Sequence, residues 1–128
     1  MNRIVLDASA LLAILNNEPG AEKLTIQLLS DAVASAVNLA EVQSKLVSRG
    51  VEPDVAWEAA MSPIREAVDF TSEQARVAGN LASLTHSMGL SLGDRACLAL
   101  GVALNAPIYT ADRAWKNLKL DVRIHVVR

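Results

Sequence analysis

Aromatic residues are nearly missing from this chain: two Trp, one Tyr and one Phe stand among 128 residues, although 52% of the sequence is hydrophobic. An interior so short of large rings must be built from Ala, Leu and Val, which suits helices packed closely on a sheet and excludes a disordered tail. Cysteine occurs once, at Cys97 in the apolar run ACLALGVAL. A single thiol excludes a disulfide scaffold, and its setting is that of a small buried hydrophobe, not of a nucleophile. Neither His86 nor His125 has a nearby Cys or His at zinc-binding spacing, and His125 reads as a structural residue of the VRIHVV segment. A Gly-rich phosphate loop and a GxSxG elbow are also missing. No stretch approaches the roughly 18 uninterrupted apolar residues of a membrane span. Asp7 breaks the only candidate signal-peptide core, residues 4 to 15, so the expected location is the cytoplasm.

What remains is a chain of 13.6 kDa, the size of one domain, and residues 1–128 read as a single unit without repeat, low-complexity tract or linker. Residues 3–6 (RIVL) predict a short buried strand, and SALLAILNN a helix that stops before Pro19-Gly20. Residues 21–30 have helical spacing. AVASAV at 32–37 predicts a second strand, and NLAEVQSKLVSRG a helix ended by Gly50. Pro53 fits the first turn of a helix reaching Met61 or Ser62 and carrying Trp57. AVDF predicts an extended piece, TSEQARVAGNLASLTHSMG a helix weakened by Gly79, and residues 92–105 an apolar helix. APIYT then predicts a strand, ADRAWKNL a short helix and VRIHVV the last strand. Alternation of this kind implies a parallel sheet covered by helices on both faces, an α/β/α sandwich with four to five short strands.

Four acids stand where a short apolar strand is expected to end and a helix to begin: Asp7 in IVLDAS, Glu41 in SAVNLAE, Asp94 in LSLGD and Asp112 in IYTAD. In a parallel sheet, ligands bind outside the carboxyl ends of the strands, where such acids gather. Each acid alone has a structural explanation in helix capping. Asp7 and Asp112 fit N-caps, and Asn38-x-x-Glu41 and Ser91-x-x-Asp94 match the capping-box pattern. Four independent caps have no reason to share one sheet edge, however, and crowded carboxylates repel unless a cation sits among them. Carboxylates without His or Cys make a hard oxygen site suited to Mg²⁺ or Mn²⁺, the ions of phosphoryl chemistry. Ser9 and Thr110 place hydroxyls two residues from Asp7 and Asp112, where they can orient a ligand or water or serve a turn.

The formal net charge of −2 argues at first against a nucleic-acid partner. Removing the four candidate ligands from the 14 acids leaves 10 against 12 bases, so the rest of the surface carries +2. Arg95, Arg113, Lys116, Lys119, Arg123 and Arg128 all fall in the last 35 residues. A basic rim around an acidic hole suits a polyanion, and an ordinary solvated surface accounts for six charges equally well.

The segments IVLDASALLAIL, SAVNLAEV, LSLGDRACLAL and IYTADRAW, in this order and spacing, resemble the four motif regions of the PIN-domain ribonucleases, in particular the VapC toxins of toxin-antitoxin pairs. The resemblance spans about residues 3 to 127. It implies an acidic quartet at Asp7, Glu41, Asp94 and Asp112, with Asp7, Asp94 and Asp112 as metal ligands and Glu41 as a ligand or the holder of the attacking water. It places the hydroxyls near the metal at Ser9 and Thr110. Some members carry one more acid a turn after the third; Leu98 occupies that place here, which leaves the site with four acids. The resemblance further implies RNA cleavage leaving 5′-phosphate and 3′-hydroxyl ends, a VapB-type antitoxin and a homodimer, for which the Trp57 helix is a candidate surface. Arg95, Arg113 and Lys116 are candidate contacts to the RNA backbone. Two rivals compete with this reading. A catalytically inactive PIN-like module would bind antitoxin or RNA without cleavage, although all four acids are retained. A phospho-accepting receiver-like domain would want an acid pair after the first strand, where Asp7 is followed by Ala8-Ser9, and a lysine ending a later strand.

Overall fold

A computed structural model describes residues 2–128. Its centre is a five-stranded, wholly parallel sheet: β1 (Ile4–Leu6), β2 (Ala32–Ser35), β3 (Glu66–Val68), β4 (Ile108–Thr110) and β5 (Ile124–Val126), in the order β3-β2-β1-β4-β5. The seven helices are α1 (Ala8–Leu15), α2 (Ile26–Leu29), α3 (Ala36–Ser48), α4 (Pro53–Met61), α5 (Ser72–Asn80), α6 (Ala82–Thr85) and α7 (Leu92–Leu104). Strand alternation divides the core. Ile4, Leu6, Ala32 and Ala34 pack with Leu11, Leu39, Val42, Ala56 and Ala60 of α1, α3 and α4, whereas Val5, Val33 and Ile108 pack with Cys97, Leu98 and Leu100 of α7 and with Trp115. The scarce aromatics leave this second layer with a single large ring, Trp115, which is fully buried. From β1 the chain moves outward through β2 and β3, then returns to place β4 on the other side of β1. The crevice between the carboxyl ends of β1 and β4 is therefore the point where the strand order reverses, the usual ligand position in such sheets.

Several predicted elements are corrected in detail. The second strand ends at Ser35 instead of residue 37, because the Ser35 hydroxyl accepts from the Val37 N–H and caps α3 two residues earlier than expected. Asn38-x-x-Glu41 is thus inside the helix and is not a capping box. Residues 21–30 form two short turns, a 3₁₀ turn over Ala21–Lys23 and α2, since the Thr25 side chain caps a new start at Leu28 N–H. The helix expected over 71–89 breaks into α5, α6 and a 3₁₀ turn at His86–Met88. The break follows Gly79 and Asn80, both poor helix formers. The run LSLG directly before Asp94 forms no strand among the described residues, and residues 113–117 coil as a 3₁₀ helix. No helix among the described residues is long and apolar enough to cross a membrane.

Gly20 ties the chain end to this frame. Its φ is +97°, and a Cβ there would stand 2.5 Å from the backbone carbonyl oxygen of Val127. That close approach carries Arg128 to Glu18, with Nη2 3.5 Å from Oε1. Gly50 shares the positive φ (+94°) but would place a Cβ in open space. Gly20→Ala is expected to cost about 1–3 kcal/mol, because it combines left-handed strain with a backbone clash. Gly50→Ala, with strain alone, is expected to cost about 1 kcal/mol. Thermal melts followed by circular dichroism compare the two.

Candidate metal centre at the carboxyl edge

Asp7 leaves β1 at the switch point with its side chain almost fully buried, 3% exposed. Its Oδ1 accepts from the Ala10 N–H (2.8 Å), capping α1, and from the Ser9 hydroxyl (2.8 Å), and its Oδ2 accepts from the Thr110 hydroxyl at 2.6 Å. Thr110 ends β4 and its oxygen accepts in turn from the Asp112 N–H at 3.1 Å, while Ser9 accepts from the Ala111 N–H at 2.9 Å. The two hydroxyls therefore tie the start of α1 to the loop after β4. Despite these donors, burial outweighs them, and with the negative charge of Asp94 nearby it pushes the Asp7 carboxyl up to about 6. No ion pair among the described residues engages any of the four acids.

The other three reach the same place from different elements. Glu41 rises from the second turn of α3, where the Asn38 amide donates to its Oε1 at 2.9 Å. Asp94 completes a capping box at the start of α7, its Oδ2 accepting from the Ser91 N–H at 2.9 Å. Asp112 follows β4 and its Oδ1 accepts from the Ala114 N–H at 2.9 Å. All four line one cleft of about 320 Å³. A wider groove of about 520 Å³ adjoins this cleft through Ser9, Ala111 and Asp112. Among other grooves larger than the cleft, two of about 530 and 440 Å³ open at the amino edge of the sheet and hold a single carboxylate, Asp121, between them. Size alone would favour those grooves; the chemistry favours the acidic cleft. Cys97 reports the same concentration of charge, since burial and then Asp7, Asp94 and Glu41 push its thiol well above the ordinary range.

The donor set fits a hard divalent cation. Each rim acid engages one carboxylate oxygen with a donor and leaves the other, Oε2 of Glu41, Oδ1 of Asp94 and Oδ2 of Asp112, without a hydrogen bond among the described residues. Capping through one oxygen thus leaves the other free for ligation at Asp94 and Asp112. Among the described residues, no three acidic, His or Cys side chains close into a ready coordination sphere. The acids share a cleft without closing on one point.

The basic residues expected at the site divide. The Arg95 guanidinium donates to the Ala78 carbonyl oxygen at 2.9 Å and does not line the cleft. Neighbours on a helix point about 100° apart, so the position that turns Asp94 to the cleft turns Arg95 to α5. Arg113 lines a shallow groove beside Asp112, and Lys116 is exposed away from the cleft lining. The cleft wall carries cations the sequence reading missed, Lys45 and Arg49, which follow Glu41 at four-residue intervals along α3. That i, i+4 spacing was available in the sequence, but nothing there marked which face of α3 met the site.

The PIN domain family model matches residues 4–120. Solved structures share the fold across nearly the full chain. VapBC2 from Rickettsia felis, bound to a DNA fragment from its promoter, is 20% identical, with 96% of this chain and 97% of that chain covered and a TM-score of 0.74. DNA-bound VapBC from Salmonella typhimurium is 16% identical, covering 100% of both chains at 0.76. The sarcin-ricin loop cleaving toxin VapC20 from Mycobacterium tuberculosis is 18% identical, covering 94% and 98% at 0.68. At these identities the likeness is one of fold. No curated protein sequence matches. With the family model spanning all but the ends of the chain, and the sheet and acidic edge just described, this protein belongs to the PIN-domain family.

Proposed function

We propose that the protein is a Mg²⁺- or Mn²⁺-dependent endoribonuclease, acting as the toxin of a toxin-antitoxin pair of the VapC kind. The observation that carries this reading is the convergence of Asp7, Glu41, Asp94 and Asp112, from four separate elements, on one cleft at the switch point of the sheet. Asp7, Asp94 and Asp112 would hold the ion, with Glu41 as a further ligand or the holder of the attacking water. When bound, such an ion offsets phosphate charge and lowers the pKa of a bound water. Asp7 supplies a fixed charge, oriented by Thr110 and Ser9 and costly to keep ionised near neutral pH without a cation. Lys45 and Arg49 offer a basic path for the RNA backbone leading away from the acids.

The toxin role draws on the neighbours of like fold, several of which are VapBC complexes. An antitoxin arginine could pair bidentately with two of the carboxylates and displace the ion. We also propose a homodimer. Trp57 is 44% exposed and Val55 55% exposed on α4, so Trp57 is not plain core and this helix offers apolar surface to a second copy.

Cleavage of looped or single-stranded RNA is expected with Mg²⁺ or Mn²⁺ and is expected to vanish in excess EDTA; undiminished cleavage with chelator would falsify the mechanism. Asp7→Asn is expected to abolish cleavage without unfolding the protein, because Asn still caps α1. Its stability carries a pH signature. The Asp7 carboxyl lies at about 6 when folded against an ordinary 3.8, so the native chain binds the proton more tightly. The stability this contributes is complete below about 3.8 and is lost as pH rises through about 6, on the order of 3 kcal/mol. Melting in EDTA should therefore show the variant equal to the parent near pH 4 and more stable near pH 7.5. Finally, Lys45→Ala and Arg49→Ala should each weaken RNA binding and lower the salt slope by about 1, whereas Arg95→Ala should leave that slope unchanged. Binding titrations from low to moderate salt measure all three.

A further inference from the structure

Asn38 is 1% exposed in the first turn of α3, and its amide nitrogen donates to two acceptors at once: Glu41 Oε1 at 2.9 Å and the Gly93 carbonyl oxygen at 3.0 Å. Its side-chain oxygen, Oδ1, is buried without a partner among the described residues. A buried carbonyl left unpaired costs stability, so packing alone does not explain the choice. Gly93 lies against the same carboxylate. It is buried in the first turn of α7, and a Cβ there would overlap the Glu41 carboxylate. Its φ is not in the left-handed region, so the glycine answers to space and not to backbone conformation. Glu41 otherwise has a long side chain with several rotors and no other hydrogen bond among the described residues to direct it.

From this geometry we propose that Asn38 is the positioning residue of the site, holding the Glu41 carboxylate in the notch left by Gly93 and locking the start of α3 to the start of α7. The inference deepens the nuclease reading and rests on it. Its physical content is preorganisation: anchoring Oε1 removes rotamer freedom from Glu41 before an ion arrives and leaves Oε2 to face the cleft chemistry. Partners behind a ligand that act in this way typically govern metal affinity or activity by about 10–100-fold.

The test uses Mn²⁺ titration by calorimetry or electron paramagnetic resonance, alongside cleavage kinetics. Asn38→Leu removes the donor and the unpaired oxygen together. It is expected to keep or raise the melting temperature, weaken Mn²⁺ binding by about tenfold or more, and lower kcat with KM little changed. Gly93→Ala reaches the same carboxylate from α7 and is expected to weaken Mn²⁺ in the same way, which keeps the proposal testable if the leucine variant fails to fold. Because both act through Glu41, neither should add to the loss caused by Glu41→Gln in a double variant. Unchanged Mn²⁺ affinity in both single variants, or losses that add to that of Glu41→Gln, overturns the positioning role. If the parent cleaves RNA and these results appear, the nuclease reading stands alone. If the parent cleaves nothing but binds Mn²⁺, the titration still decides Asn38, and a parent that binds no Mn²⁺ ends both.

Discussion

A carboxylate almost wholly withdrawn from water at the end of the central strand sets the terms for the structure around it. Asp7 can be kept there only because the first turn of α1 and the hydroxyls of Ser9 and Thr110 supply donors to both its oxygens. Those donors do not fully offset the loss of solvent, which is why its carboxyl stays near 6. The arrangement in turn demands that β4 lie beside β1, since Thr110 is the last residue of β4. Ser9 and the Ala111 N–H then close the same link from the other side. The switch point of the sheet is thus both a hydrogen-bonded joint and the floor of the cleft.

Around that floor, a single carboxylate has room for a structural bond and a ligand at once. Asp94 closes a capping box and Asp112 caps a 3₁₀ helix, each through one oxygen. A carboxylate has capacity for more, and the second oxygen is what a cation can use. Glu41 differs, since it caps nothing and depends on Asn38 for direction. The acid furthest from a helix start is the one that needs a dedicated partner.

Much of the fold was legible because the cues were local. Pro53 marked the start of α4, and Gly50 stands just past the end of α3. The buried runs IVL, AVAS and IYT stood out as strands between helical periods. Errors fell where a single side-chain bond decides a boundary. Ser35 and Thr25 each start a helix with one hydroxyl, and a hydroxyl in an apolar stretch does not announce whether it caps or simply packs. The run LSLGD failed differently, since its apolar residues follow a 3₁₀ turn and pair with no strand.

By itself the sequence determined the acids, their order, and the alternation of short strands and helices, since these depend on residue type and spacing along the chain. It also shows that the chain is rich in carboxylates and hydroxyls at these segments and holds one thiol and two imidazoles. Only tertiary structure decided that β4 returns beside β1, because strand order is chosen by crossovers and packing that no local pattern records. The same holds for Arg95 turning to α5, for Lys45 and Arg49 facing the cleft, and for the meeting of Asn38 with Gly93 across 55 positions. Helix rotation and the approach of two helix starts are set by how whole layers fill space, so these contacts exist only once the sheet has brought both layers to one edge.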